Sequence, residues 1–189
     1  GHMILGVDNH NDYYNVRLKE ARKKELSSQN YKFLISDINN MDFENEGFDF
    51  AINLAAQAGV RVPAEKQHLY EETNINGFKA FINFCLKNRV KNVIYASSSS
   101  VYSDEGSKKF SESCTKLSPK SEYGLSKLAN EMYASDILKN NDMSILGLRF
   151  FSVYGPYGRP DMAYFSFTDS IKNGEIIRLN NKGNMSRDM

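Results

Sequence analysis

Tryptophan is absent, and cysteine occurs only twice, histidine three times and proline four times in 189 residues. The scarcity of cysteine and of histidine each closes a class of function. Cys85 and Cys114 lie in unlike surroundings, one on an apolar helical pattern and one in a polar loop. That is no disulfide framework, and two unpaired thiols suit a reducing, cytoplasmic compartment. Three scattered histidines without clustered Cys/His spacing argue against a zinc site, so no metal is expected. Charge of one sign is missing too: 24 Lys and Arg are interspersed with 23 Asp and Glu, leaving +1. No nucleic-acid stripe or membrane-surface patch is expected from that balance. No apolar run reaches ten residues, which excludes a transmembrane helix, and Ile4 to Val7 is too short for a signal h-region.

What is present is an ordinary globular composition, 41% hydrophobic and 25% charged, in a chain long enough for one real core. Gly1-His2-Met3 reads equally as a scar of tag removal or as a native turn. Ile4 to Asp8 reads as a buried parallel strand ending in an acid. A charged helix follows over Val16 to Leu26, with Leu18, Ala21 and Leu26 expected inward. Strands are expected at Tyr31–Ser36 and Phe48–Leu54, then one long helix from Pro63 to Asn88 with Phe78, Phe81, Ile82 and Cys85 at helical spacing. A strand over Lys91–Ser97 runs into four serines. After a polar loop over Ser103–Glu122 come a helix at Tyr123–Asn140, a strand at Ile145–Leu148, a helix at Phe165–Asn173 and an extended Glu175–Leu179. Gly183 to Met189 reads as loop.

Strands alternating with helices predict an α/β fold, a parallel sheet wound on both faces. In such sheets ligands bind beyond the carboxyl ends of the strands. Asp8, Asp37, Ala55 to Gly59, Ser97 to Ser100 and Phe150 to Ser152 all fall at such ends. Five coincidences favour a shared site over a set of good loop residues. Tyr123 and Lys127, four apart, share one helix face. A lysine ammonium within ~4–6 Å lowers the pKa of a phenol by about 1–3 units, and a strand-end hydroxyl supplies a third contact. The Tyr–Lys spacing alone is unspecific, because eleven tyrosines and many lysines make one by chance.

The motifs together are specific. Asp8-Asn9, Asp37-Ile38, Leu54 to Arg61, Asn74-Ile75-Asn76-Gly77, Ser97 to Tyr102, Tyr123 to Lys127, Leu148 to Pro156 and Gly158 to Ala163 span nearly the whole chain. This pattern resembles the extended short-chain dehydrogenase/reductase group, and within it the NAD-dependent nucleotide-sugar epimerases. Asp8 to Tyr14 and Gly158 to Ala163 are most similar to the UDP-glucuronate 4-epimerase branch.

The resemblance implies a Rossmann-like NAD-binding domain over residues 1–153 and the start of a substrate-binding region over 154–189. It implies that Asp8 and Asn9 meet the adenosine ribose, a carboxylate there favouring NAD over its 2′-phosphorylated form. Asp37 and Ile38 would flank the adenine. Leu54, Ala55, Ala56 and Gln57 would run beside the cofactor, with Asn74 in support and Ser97 and Phe150 nearby. Counting back four from Tyr102 selects Ser98 as the family's essential hydroxyl. Tyr123 would be the base and Lys127 the group that lowers its pKa and grips the nicotinamide ribose. Tyr123 would take the proton of the sugar 4-hydroxyl as hydride leaves carbon 4 for NAD; the 4-keto sugar would turn over, and hydride would return to its other face.

Substrate residues implied are Ser99, Ser100 and Ser152 for a carboxylate, and Arg159 and Arg187 for a diphosphate or carboxylate. Dehydratases and decarboxylases of the family carry an acid where Ser99 and Ser100 stand, so epimerase is the favoured reading. The partner is then a UDP-sugar. A homodimer through the helices at 63–88 and 123–140 is also expected.

The family begins with a strand, a Gly-rich loop and a helix, together about 25 residues, ahead of the Ile4 strand. That segment is not in these 189 residues, and the family continues beyond Arg187-Asp188. The expectation is therefore of a piece that binds NAD poorly by itself. Two other readings stay open: a non-catalytic interaction module, and a dehydratase, decarboxylase or reductase of the same family.

Overall fold

Strands and helices alternate through most of the chain in a computed structural model that describes residues 1–26, 29–43, 47–60, 62–102 and 110–184. They run β1 (Ile4–Asp8), α1 (Val16–Glu25), β2 (Tyr31–Ile35), β3 (Phe50–Asn53), α2 (Gly77–Lys87), β4 (Asn92–Ser98), α3 (Glu122–Asn140), β5 (Ser144–Phe150) and α4 (Ala163–Asn173). Two sheets form, β1-β2 and β3-β4-β5. This is an α/β, Rossmann-like arrangement, with sheets that are incomplete. Two compact units result.

One unit draws on the described residues among 1–6, 10–33 and 151–189. Asn15 caps α1 by accepting from the Arg17 N–H, and three basic residues in the last turn suit its dipole. The expected inward stripe is not there. Leu18 is 38% and Leu26 60% exposed, Ala21 is exposed, and no residue of α1 is buried. The helix is held by a polar residue instead. Arg22 donates to Tyr14 Oη at 2.8 Å and to the Gly158 carbonyl at 3.0 Å, with its guanidinium 5.3 Å from the Tyr14 ring. Tyr157 donates to Glu25. Residues 175–179 lie outside any strand, and Gly183 ends a short 3₁₀ turn, Asn180–Gly183.

The other unit comprises residues 7–9 and the described residues among 34–150. Strands β3, β4 and β5 are parallel and in register, Ile52 beside Ile94 and Ile94 beside Leu146. Alternation along β4 sends Val93, Tyr95 and Ser97 to one face. There Val93 and Tyr95 meet Phe78, Phe81, Ile82 and Cys85 of α2 and Ala134 of α3. Ile82 is fully buried, and truncating such a residue to alanine costs roughly 2–5 kcal/mol. The Tyr95 phenol reaches over β5 at its neighbour Gly147, where a Cβ would come within 2.5 Å of the phenol oxygen. Both helices cover this one face. Of the two covered faces expected, the described residues of this unit supply one. Phe50, Ile52, Leu54 and Leu146 remain exposed on the other.

The single helix expected over 63–88 is three pieces. A 3₁₀ turn at Ala64–Lys66 and a π-helix at Tyr70–Asn76 precede α2. The i→i+5 winding of the π segment is rare and local. It sends Tyr70 and Asn74 inward together, both buried, before the regular helix begins at Gly77.

Burial pushes the Cys85 thiol up to about 12, so it stays protonated and unreactive. Cys114 is only partly covered, and both cysteines are free. Titration of the native protein with a thiol reagent is expected to modify Cys114 promptly and Cys85 only after denaturant is added. Rapid reaction of two thiols in the native state would contradict this packing.

Candidate active site

Strand β4 ends at Ser98, and its last residues are gripped in turn by α3. The Lys127 ammonium, buried to 3% exposure, donates to the Ala96 carbonyl at 2.9 Å. Ser97 Oγ donates to Glu131 Oε1 at 2.5 Å. Ser98 Oγ, buried, accepts from the Ser100 N–H at 3.1 Å and so caps the short 3₁₀ turn Ser99–Val101. Serine suits that cap because its short side chain reaches an N–H two residues on.

Helix α3 starts beside this turn. Ser121 Oγ accepts from the Gly124 N–H at 3.1 Å, and Glu122 places an acid in the first turn. Close approach requires Gly124, where a Cβ would stand 2.5 Å from the Ser100 carbonyl oxygen and 2.8 Å from Pro119 Cβ. Tyr123 is thereby brought to the same end of the sheet as Ser98. Lys127 Nζ lies 5.7 Å from the Tyr123 ring centroid, and the Tyr70 ring packs edge-on against Tyr123 at 6.2 Å. Tyr70 itself donates to the Gly59 carbonyl at 2.6 Å. Burial pulls Lys127 down to about 8, so it remains an ammonium at neutral pH.

A second polar join runs through Asn74, 1% exposed. Its Oδ1 accepts from the Gln57 N–H at 2.7 Å, and its Nδ2 donates to the Gln57 carbonyl and to Ser126 Oγ at 3.0 Å. Ser126 in turn donates to the Tyr123 carbonyl at 2.8 Å. The segment after β3, with Leu54 and Ala55 exposed and Ala56 half-buried, is thus tied at Gln57 to both the π segment and α3. At the end of β1, the Ser36 N–H donates to the Asp8 carbonyl, and Asn9 Nδ2 donates to Asp37 Oδ2 at 2.8 Å. Burial alone would raise the Asp37 carboxyl. Hydrogen bonds from the Asn39 N–H and from the Asn9 and Asn39 side chains outweigh it and hold the group below its ordinary value. Ile38 turns its side chain to the core, against Gly77.

The strand ends therefore bring together Ser97, Ser98, Ser99, Ser100, Tyr123, Lys127, Gln57 and Asn74 in one unit, with Phe150 at the end of the neighbouring β5 and 41% exposed. Ser152 and Arg159 belong to the other unit. Arg159 is already engaged there, with Asp161 through two bonds of 3.0 and 3.1 Å and with the Tyr13 ring. Arg187 lies outside the described residues. Sequence reasoning passed over Tyr70, Ser126, Glu131 and Arg149. Glu131 had a signal, since it stands one turn beyond Lys127 on the same face of α3. Arg149 lies within the strand-end segment quoted above.

A family model described as the NAD dependent epimerase/dehydratase family matches residues 1–189. The chain belongs to that family. It is 44% identical over 193 residues to Protein CapI of Staphylococcus aureus, covering all of this chain and 58% of that protein. It is 40% identical over 197 residues to UDP-glucuronate 4-epimerase 4 of Arabidopsis thaliana, covering all of this chain and 45% of that one. Among solved structures, the UDP-glucuronic acid 4-epimerase of Bacillus cereus in complex with UDP-glucuronic acid and NAD superposes with a TM-score of 0.83 at 31% identity, over 92% of this chain and 56% of that one. The chain spans about half the length of the curated relatives it matches. The family is NAD-dependent, which agrees with the expected cofactor.

Because the folded state disfavours the Lys127 charge, the unfolded chain binds that proton more tightly between about pH 8 and 10.5. Stability from this group is therefore lowest below pH 8 and rises as pH climbs through that window. Comparison with Lys127→Met in urea titrations is expected to show the wild type gaining up to about 3 kcal/mol relative to the variant across the window. Parallel curves at pH 7.5 and 10 would sink this reading.

Proposed function

We propose that this chain supplies the proton-transfer site of a nucleotide-sugar 4-epimerase acting on a UDP-hexuronate, interconverting UDP-glucuronate and UDP-galacturonate. The observation that carries the reading is the strand end where Ser98, Tyr123 and the buried Lys127 ammonium converge with uncharged serines at 99 and 100. Elimination of water from a sugar needs an added acid, and positions 99 and 100 offer only hydroxyls. The named relatives support the same choice of chemistry. The activity is proposed for a protein of the relatives' length.

The residues present fit NAD. An ammonium has three N–H donors, and Ala96 takes one from Lys127, leaving two for ribose hydroxyls. The small Ala55 and Ala56 precede Gln57, whose backbone N–H and carbonyl are both held by Asn74, so the β3 loop is anchored there with little side-chain bulk before it. Asp8, Asn9, Asp37 and Ile38 at the ends of β1 and β2 are assigned to the adenosine half, and Leu54 to Gln57, Ser97 and Phe150 to the remainder. NAD, when bound, supplies a hydride acceptor and donor at sugar carbon 4.

The chain's own contribution is proton handling and placement. Tyr123 takes the proton from the sugar 4-hydroxyl and later returns one. The Lys127 ammonium stabilises negative charge on the phenol oxygen. Ser98, held by its cap to Ser100, offers its hydroxyl to the reacting oxygen. Ser99, Ser100 and Ser152 are assigned to the uronate carboxylate, and Arg159 and Arg187 to the phosphates or the carboxylate. Arg159 has to leave Asp161 to take up that role.

We assign the protein to the cytoplasm, where free Cys85 and Cys114 stay reduced, and to the supply of activated uronic acids for polysaccharide assembly. No helix of the described residues is long and apolar enough to cross a membrane. A homodimer through the α2 and α3 region has one supporting feature. Leu125, 48% exposed, and Met132, 63% exposed, share the outward face of α3 with Leu128. In sedimentation velocity, Leu125→Glu/Met132→Glu is expected to turn a dimer into a monomer, and an unchanged dimer would remove α3 from the interface.

For the chemistry, Tyr123→Phe in the full-length protein is expected to lower interconversion of UDP-glucuronate and UDP-galacturonate by about 10²–10⁴-fold. UDP-sugar affinity measured by calorimetry should stay close to wild type. Undiminished turnover would end the assignment of Tyr123 as base.

A further inference from the structure

Both ends of the segment that carries the serines are held by one ion pair. At the near end, Ser97 Oγ donates to Glu131 Oε1. At the far end, Tyr102 lies under the Arg149 guanidinium, whose carbon is 4.9 Å from the ring centroid. Tyr102 also stacks on Phe110 at 4.8 Å and 12°. Arg149 and Glu131 close the loop with a bidentate pair, Nε to Oε1 at 2.9 Å and Nη2 to Oε2 at 2.8 Å. Both side chains are less than a fifth exposed, so solvent and salt screen the pair weakly. Between these anchors stand only Ser98, Ser99, Ser100 and Val101.

The pair also has the right fixed points. Glu131 follows Lys127 by one turn of α3, so the helix that grips Ala96 through Lys127 grips Ser97 through Glu131. Arg149 pairs in register with Ser97 across β4 and β5. The serine segment is therefore referenced to the helix bearing Tyr123 and to the neighbouring strand at once. Burial by itself would raise the Glu131 carboxyl, but hydrogen bonds from Arg149 and Ser97 and the Arg149 charge hold it below its ordinary value. The carboxylate stays ionised and the clamp stays closed across the neutral range.

We propose that Glu131 and Arg149 are positioning residues, a clamp that fixes the Ser98 hydroxyl and the Ser99–Ser100 turn relative to Tyr123 and Lys127. They touch neither sugar nor cofactor in this role. The proposal rests on the epimerase reading for its catalytic consequence, and on geometry alone for its mechanical one. Reacting groups displaced by an ångström cost about 10²-fold in rate, and the clamp is the feature that prevents such displacement here.

The test uses the full-length protein with Glu131→Gln, Ser97→Ala and Arg149→Lys. Ser97→Ala removes one anchor and leaves the ion pair, so it keeps the test open if a broken pair prevents folding. Hydrogen exchange is read at the Ser100 and Tyr102 amides, which bond Ser98 Oγ and the Ser99 carbonyl. Expected is faster exchange in the 97–102 peptide with unchanged protection of α3, a kcat lower by about 10²-fold, and a KM for the UDP-sugar close to wild type. A mere loss of folded protein would instead lower kcat in proportion to the folded fraction and speed exchange everywhere. Exchange at 97–102 unchanged in Ser97→Ala, or wild-type kcat despite faster exchange, overturns the proposal. If the wild type itself fails to turn over UDP-glucuronate, the epimerase reading falls, and the clamp is judged on exchange alone.

Discussion

The hydrogen bond from the buried Lys127 ammonium to the Ala96 carbonyl joins the helix that bears the phenol to the strand that bears the hydroxyls. A buried charge is costly unless hydrogen-bonded, so this lysine has few stable arrangements open to it. That constraint propagates. With Lys127 fixed, Tyr123 one turn earlier and Glu131 one turn later share its face, and Glu131 meets Ser97 at the carboxyl end of β4. Asn74 then ties the neighbouring β3 loop to the same helix through Ser126. The candidate site is built from backbone carbonyls and short polar side chains around one helix turn, and Phe78 and Phe81 of α2 belong to the core of the same unit.

Buried polar groups this numerous need hydrogen-bond partners, and among the described side chains only Arg22 Nε and Arg149 Nη1 are buried without one. Asn74 makes three hydrogen bonds, Ser97, Ser98 and Ser126 each make at least one, and Lys127 one. The network is the reason the hydrophobic core can stop short of the sheet end. Val93 and Tyr95 face α2, and two residues further along the same face Ser97 meets Glu131. The switch from apolar to polar contact within one strand separates what stabilises this unit from what it offers to a ligand.

Much of this was legible in the residues. The strand-end rule pointed to Ser97–Ser100 and to Gln57, which the fold places in one unit, because small and polar residues interrupt apolar runs abruptly at those points. Periodicity found α2, since Phe78, Phe81, Ile82 and Cys85 are all buried. It could not find the π segment, because winding at Tyr70–Asn76 is decided by what Asn74 bonds across the fold, which no local pattern encodes. It also misplaced Leu18 and Ala21. On a helix this rich in charge, the contacts of Arg22 with Tyr14 and Gly158 settled the orientation, and apolar spacing did not. Arg159, expected to meet a diphosphate or carboxylate, is paired with Asp161 two residues on. Long-range ion pairs such as Glu131–Arg149 leave almost no trace in one sequence.

Gly124 has a consequence for anyone who would redesign this protein. A helix behaves as a stiff lever, and its first turn is pressed against the Ser100 carbonyl with no room for a methyl group. An alanine there has to swing the near end of α3 outward, and Tyr123 is the residue next door. Farther along, Ala134 is buried in the core with Ile137 packed against it, and there the helix pivots. One added carbon would be converted into travel of the phenol itself, so evolvability of the site is gated by a residue with no side chain at all.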